Sequence, residues 1–162
     1  MVISDLMRQR IIMLTIFIFA FWGCGSSDKT SAPRNKENPE VSTSAALDAT
    51  WELNYIRHNK QSFTDLFPDQ KPFIKFDTKN NSASGSSGCN SFSCSYSIDD
   101  NKMKISENIM TTEMLCIEGM NGEKAFLNTL KKVDSYSISS SGNTLYLKKD
   151  GITSMKLRKS AR

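Results

Sequence analysis

The chain has 162 residues, 38% hydrophobic and 23% charged, with 21 basic against 17 acidic side chains, one histidine and four cysteines. That length supplies one modest hydrophobic core plus a tether, and hardly two domains. A net charge of +4 is no nucleic-acid signature, and the late basic residues Lys148, Lys149, Lys156, Arg158 and Lys159 fall on strand-like segments, where they suit a solvated face.

In chain order, the first feature is an export signal. Arg8 and Arg10 precede an apolar run over residues 11–22, which is followed by Gly23 and Cys24. The run is shorter than the roughly 20 residues that span a bilayer, and a small residue stands before the cysteine, as in bacterial lipoprotein signals. Residues 1–23 therefore read as a signal peptide, with lipidation expected on Cys24. Met1 and Met7 are both compatible start sites, and Met7 leaves Met-Arg-Gln-Arg ahead of the apolar run. The expected location is the cell envelope, lipid-anchored, at an outer membrane facing the periplasm or the cell surface. The membrane is then a partner through the anchor.

Residues 24–50 are rich in Ser, Thr, Pro, Asn and charge, with almost nothing apolar before Leu47. Such a segment cannot bury a core and reads as a disordered linker, with an r.m.s. reach of roughly 30 Å. The folded domain is expected over residues 51–160. Trp51, Leu53 and Tyr55 alternate with polar residues in the period of a half-buried strand, and a second strand reads over residues 72–76. After a loop over residues 80–88, residues 89–98 alternate again, with Phe92, Cys94, Tyr96 and Ile98 on one side and mostly serine on the other. Asp99-Asp100-Asn101 reads as a turn into a strand carrying Met103 and Ile105, and Asp150-Gly151 as a two-residue hairpin turn between residues 144–149 and 152–158. One helix is predicted over residues 122–132, with Phe126, Leu127, Leu130 and Val133 on one face, Asn121 as N-cap and Glu123 in its first turn. The fold class is α+β, predominantly antiparallel β: a curved sheet or partly open small barrel with one amphipathic helix packed on it.

Several segments together resemble the META domain, also called the HslJ-like domain. They are Trp51-Glu52-Leu53, Pro72-Phe73-Ile74-Lys75-Phe76, Gly85-Ser86-Ser87-Gly88-Cys89-Asn90-Ser91-Phe92 with Tyr96, Thr112-Glu113-Met114-Leu115-Cys116, and Glu123 with Phe126, Leu127 and Leu130. The resemblance implies a small β-rich domain of bacterial envelope lipoproteins, linked to stress tolerance and antibiotic sensitivity, without an established catalytic activity. It also implies a disulfide between Cys89 and Cys116, which on the chain-entropy model stabilises by roughly 3 to 4 kcal/mol. Cys94 departs from the family pattern, where a small residue is expected. Strand parity places Cys94 on the apolar face as a small hydrophobe, while a pairing of Cys94 with Cys116 in place of Cys89 stays open.

No residue set announces a reaction. There is no Cys-x-x-Cys, and His58 lies in a polar Arg-His-Asn-Lys stretch that reads as a surface turn, so neither a metal site nor a hydrolytic triad assembles. Gly85-Ser86-Ser87-Gly88 is neither a nucleophile elbow nor a phosphate cradle, because a strand follows it. Adjacent carboxylates such as Asp99 and Asp100 point to opposite sides of a strand and suit a turn. The expectation is a non-catalytic envelope lipoprotein, without a cofactor or metal. It would act as a binding or stress-tolerance module toward an envelope protein or polymer, and not toward nucleic acid. The alternatives are a lipoprotein inhibitor of a hydrolase such as a lysozyme or protease, and an enzyme with an unrecognised site.

Overall fold

A computed structural model describes residues 40–41, 44–58, 60–116 and 119–161. Cys24 and the segment read as a signal peptide lie outside the described residues. Ten strands form one antiparallel sheet: β1 (Glu40–Val41), β2 (Thr50–Ile56), β3 (Phe73–Asp77), β4 (Ser82–Ser86), β5 (Ser91–Asp99), β6 (Lys102–Ile105), β7 (Met110–Thr111), β8 (Ser135–Ser139), β9 (Thr144–Lys149) and β10 (Ile152–Lys159). Among the described residues three helices accompany them: α1 (Ser44–Leu47), α2 (Phe63–Leu66) and α3 (Met120–Lys131).

The sheet closes on itself in the order β8-β6-β5-β4-β3-β2-β10-β9, and β9 pairs back to β8. This corrects the expectation of a partly open barrel: eight strands complete the ring. The narrowest seam joins β6 to β8, where the register holds the single pair Lys102↔Ser135, flanked by Met103 N–H to the Asp134 carbonyl at 3.0 Å and Tyr136 N–H to the Asn101 carbonyl at 2.9 Å. β1 extends β8 through Glu40↔Ser139 and Val41↔Ile138, and β7 pairs with the start of β5.

The alternation along the strands fills the interior. Trp51 and Leu53, Ile74 and Phe76, and Leu145 and Leu147 are fully buried, as period-two side chains of a closed barrel must be. Phe76 meets Tyr96 edge to face at 5.3 Å between ring centroids. The α3 helix covers one side, with Phe126 and Leu130 fully buried and Phe126 seated 5.5 Å from the ring centre of Phe92. Burial of a phenylalanine of this kind contributes about 2 to 3 kcal/mol.

Three boundaries differ from the sequence reading. The fold starts before Trp51: Leu47 is fully buried, and its carbonyl accepts the Trp51 indole N–H at 3.0 Å. Helix α3 begins at Met120 behind Gly119 at φ 89°, so Asn121 lies inside the helix and is not its cap. The stretch read as a loop over residues 80–88 contains β4, which pairs β3 on one side and β5 on the other. Only Ala83 of that strand sends a carbon side chain into the core. At Gly85 a Cβ would lie 2.0 Å from the Phe73 carbonyl oxygen, so the close strand approach there requires glycine.

Candidate functional site

The turn between β4 and β5 holds the densest polar cluster. Ser87 is fully buried, and both its backbone N–H and its hydroxyl donate to the Asn90 carbonyl at 2.8 Å. The Asn90 side chain, 5% exposed, then reaches across to the segment after β7. Its Oδ1 accepts from Met114 N–H and from the Thr112 hydroxyl, each at 2.8 Å. Its Nδ2 donates to Glu123 Oε2 at 2.9 Å and to the Met114 carbonyl at 3.3 Å. Thr112 Oγ1 in turn accepts from Ser91 N–H at 3.1 Å. One amide therefore pairs with the Met114 backbone as a strand neighbour would, and ties it to the first turn of α3.

A covalent link lies beside this network. Cys89 and Cys116 form a disulfide with their Cα atoms 6.3 Å apart. Cys94 is a free, buried thiol on the barrel interior, and burial pushes its pKa up to about 11, so it is not a reactive nucleophile near neutral pH. The Cys89, Cys116 and Glu123 ligand atoms fall within 4.8 Å of one another. In the disulfide state neither sulfur offers a thiolate to a cation, and the Glu123 carboxylate accepts from Asn90.

The other residues weighed for chemistry are dispersed. His58 sits in an exposed turn, its Nδ1 accepting from the backbone N–H groups of Lys60 and Gln61 at 3.4 and 3.3 Å. Asp100 occupies the β5–β6 turn at φ 58°. Glu123 is drawn into the Asn90 network on the inner side of α3.

Beside the exposed Thr111, Thr112 and Glu113, the locked segment and the start of α3 expose large apolar side chains. Met110 is 70% exposed, Met114 67%, Leu115 84% and Met120 43%. The cluster beneath them is polar, and among the described residues none of its fully buried side-chain nitrogen or oxygen atoms lacks a hydrogen-bond partner. The sequence signal for this face was available in Met110, Met114 and Leu115, which fit no strand or helix period. The hub role of Asn90 was not legible, because its position in the alternation read simply as one more site beside Phe92.

A family model, the META domain, matches residues 44–161. By sequence, no curated protein matches the chain. By structure, the chain is similar to a protein from Burkholderia xenovorans solved by NMR, with a TM-score of 0.57, 22% identity, and coverage of 86% of this chain and 100% of the other. It is also similar to a second protein solved by NMR, with a TM-score of 0.51 and 17% identity over 73% of this chain and 95% of the other. At these identities the likeness is one of fold.

Proposed function

The chain belongs to the META domain family, and from that premise we propose that it is a non-catalytic binding module of the bacterial cell envelope, lipid-anchored through Cys24 and presenting residues 110–116 and Met120 to a protein partner. The observation that carries this reading is the exposed apolar set Met110, Met114, Leu115 and Met120, fixed from behind by the Asn90 hydrogen bonds and the Cys89–Cys116 disulfide. Exposed large apolar side chains grouped on one segment mark interaction surfaces. Holding that segment rigid lowers the ordering cost of association, and methionine adapts to an irregular partner surface. The polar cluster below spends its hydrogen bonds on fold geometry, which supports binding over a reaction.

The test places a photo-crosslinking residue at position 115 of the full chain in cells, with a second version carrying it at Lys79, an exposed site in the β3–β4 turn. A dominant adduct with one envelope protein from position 115, missing from position 79 and depleted by Cys24→Ala, is the expected result. Equal adduct patterns from both positions would remove the basis for this surface.

A further inference from the structure

A concave region lies at the far ends of β5 and α3 from the disulfide. The helix runs from Met120 beside the locked segment to Lys131, a span of about 18 Å. Where it ends, a cavity of about 540 Å³ opens between the helix terminus and the β5–β6 hairpin, within the usual range for small-ligand sites. Five lysines line it: Lys102, Lys104, Lys131, Lys132 and Lys149.

The acidic residues in the same wall do not balance them. Asp134 is committed elsewhere: its carboxylate accepts from Asp150 N–H at 2.8 Å, from the Ser135 hydroxyl at 2.8 Å and from Lys149 Nζ at 3.2 Å. Lys149 is satisfied by Asp134 together with Asp150, 3.2 Å away. Asp99 stands opposite Lys102 in the β5–β6 register, whereas Lys104 stands opposite Ser97. Lys104, Lys131 and Lys132 thus have no acidic partner within ion-pair distance among the described residues. Two of the three close the last turn of α3, where their charge offsets the negative end of the helix dipole, and Lys104 approaches from the hairpin. Behind them, Met103 and Val133 give the wall an apolar component.

We propose that this cavity binds the phosphate group of an organic phosphate monoester. Lysine ammonium groups around one cavity act as point charges, a common way of holding a multiply charged phosphate that needs no planar bidentate fork. The apolar wall favours an ester with a carbon skeleton over a bare ion. Two sources offer this chemistry: a soluble phosphate ester, or the headgroup of an anionic membrane lipid, which the proposed Cys24 anchor would bring near.

Lysine footprinting tests the assignment on the full chain in phosphatidylcholine vesicles, using an amine-acylating reagent and mass spectrometry. The probes are glycerol 3-phosphate added in solution and phosphatidic acid mixed into the vesicles. The expected result is a drop of about threefold or more in acylation of Lys104, Lys131 and Lys132, weakened by added salt, with exposed Lys60, Lys75 and Lys79 unchanged. Protection by glycerol 3-phosphate in neutral vesicles assigns a soluble source, and protection by phosphatidic acid alone assigns the lipid headgroup. Unchanged labelling with both probes, or equal protection of all six lysines, overturns the proposal. The exposed triple substitution Lys104→Gln, Lys131→Gln and Lys132→Gln keeps the barrel interior intact and should raise the Kd for the protecting probe about tenfold or more, since rim charges act through local potential.

Discussion

Asn90 uses both ends of its side-chain amide to join three segments: the β4–β5 turn, the stretch after β7 and the first turn of α3. Truncation to alanine leaves the Met114 N–H and carbonyl without the partner they have now, and Glu123 without its donor. Unmade buried hydrogen bonds cost about 1 to 3 kcal/mol each, but relaxation and water recover part of that. Asn90→Ala is therefore expected to lower stability by about 2 to 4 kcal/mol, measured as the urea midpoint at constant slope. Thr112→Val, which removes the hydroxyl donor to Asn90 Oδ1 and the acceptor for Ser91 N–H but leaves the amide its other partners, should cost less. This hub was hidden in the sequence because an asparagine in an alternating strand carries no mark of how many partners it will find. The cysteine next to it stood out by its chemistry, and Trp51 by its size, yet neither residue reveals the geometry that Asn90 supplies.

Helices α2 and α3 meet through the absence of a side chain. At Gly122 a Cβ would lie 2.0 Å from the Leu66 carbonyl oxygen and 2.8 Å from the Phe67 ring. An alanine there gains about 1 kcal/mol of helix propensity, but it must push α2 off its seat. Because α2 is held by a capping box in which Ser62 and Asp65 exchange hydrogen bonds, the clash is expected to win. Gly122→Ala should lower the thermal midpoint, with a net loss of about 2 to 4 kcal/mol, while Asn121→Ala on the exposed side should be nearly neutral. At this scale the strands with apolar alternation, β2, β3, β5, β6, β9 and β10, could be read directly. β4 could not, since Ser82-Ala83-Ser84-Gly85-Ser86 has turn composition and becomes a strand only because β3 and β5 pair it on both edges. α3 was legible from Phe126 and Leu130, but its start was not, because Gly119 ends the preceding stretch in a left-handed conformation without a side-chain cap.

Across the whole molecule, charge states set a window of stability. Hydrogen bonding within the Ser62 cap holds Asp65 below the usual carboxylate range, the Asn80 amide does the same for Asp77, and the Asp150 backbone N–H leads the same effect at Asp134. A folded-state pKa below the unfolded one means that the unfolded chain binds more protons. That stability is present above pH about 4 and is lost as pH falls through the depressed values. Cys94 works at the other end. Its neutral form is favoured on folding, so stability is complete below the ordinary thiol value of about 9 and declines as pH rises toward about 11. The loss reaches about 1 kcal/mol near pH 10. Urea midpoints measured across pH should show a plateau between these limits. Cys94→Ala should flatten the early alkaline decline without moving the acid limb, and Asp134→Asn should make the acid limb shallower while the Asp65 and Asp77 contributions remain. Barrel closure itself was only half visible in the sequence. Alternation announces a curled sheet, but the β6–β8 seam consists of the pair Lys102↔Ser135, with Met103 and Tyr136 beside it, and no local pattern specifies a junction that short.

The pairing of β2 with β10 has a temporal meaning. The first strand of the ring needs the last one as its neighbour, and their contacts join residues as distant as Trp51 and Lys159. During synthesis, β2 through β9 can be made while one edge of β2 still waits, so the ring cannot close until translation has passed Lys159. Long-range closure of this kind is slow compared with hairpin formation. A nascent chain therefore keeps the β10-facing edge of β2 unpaired until β10 has been synthesised, and ring closure follows the synthesis of that strand.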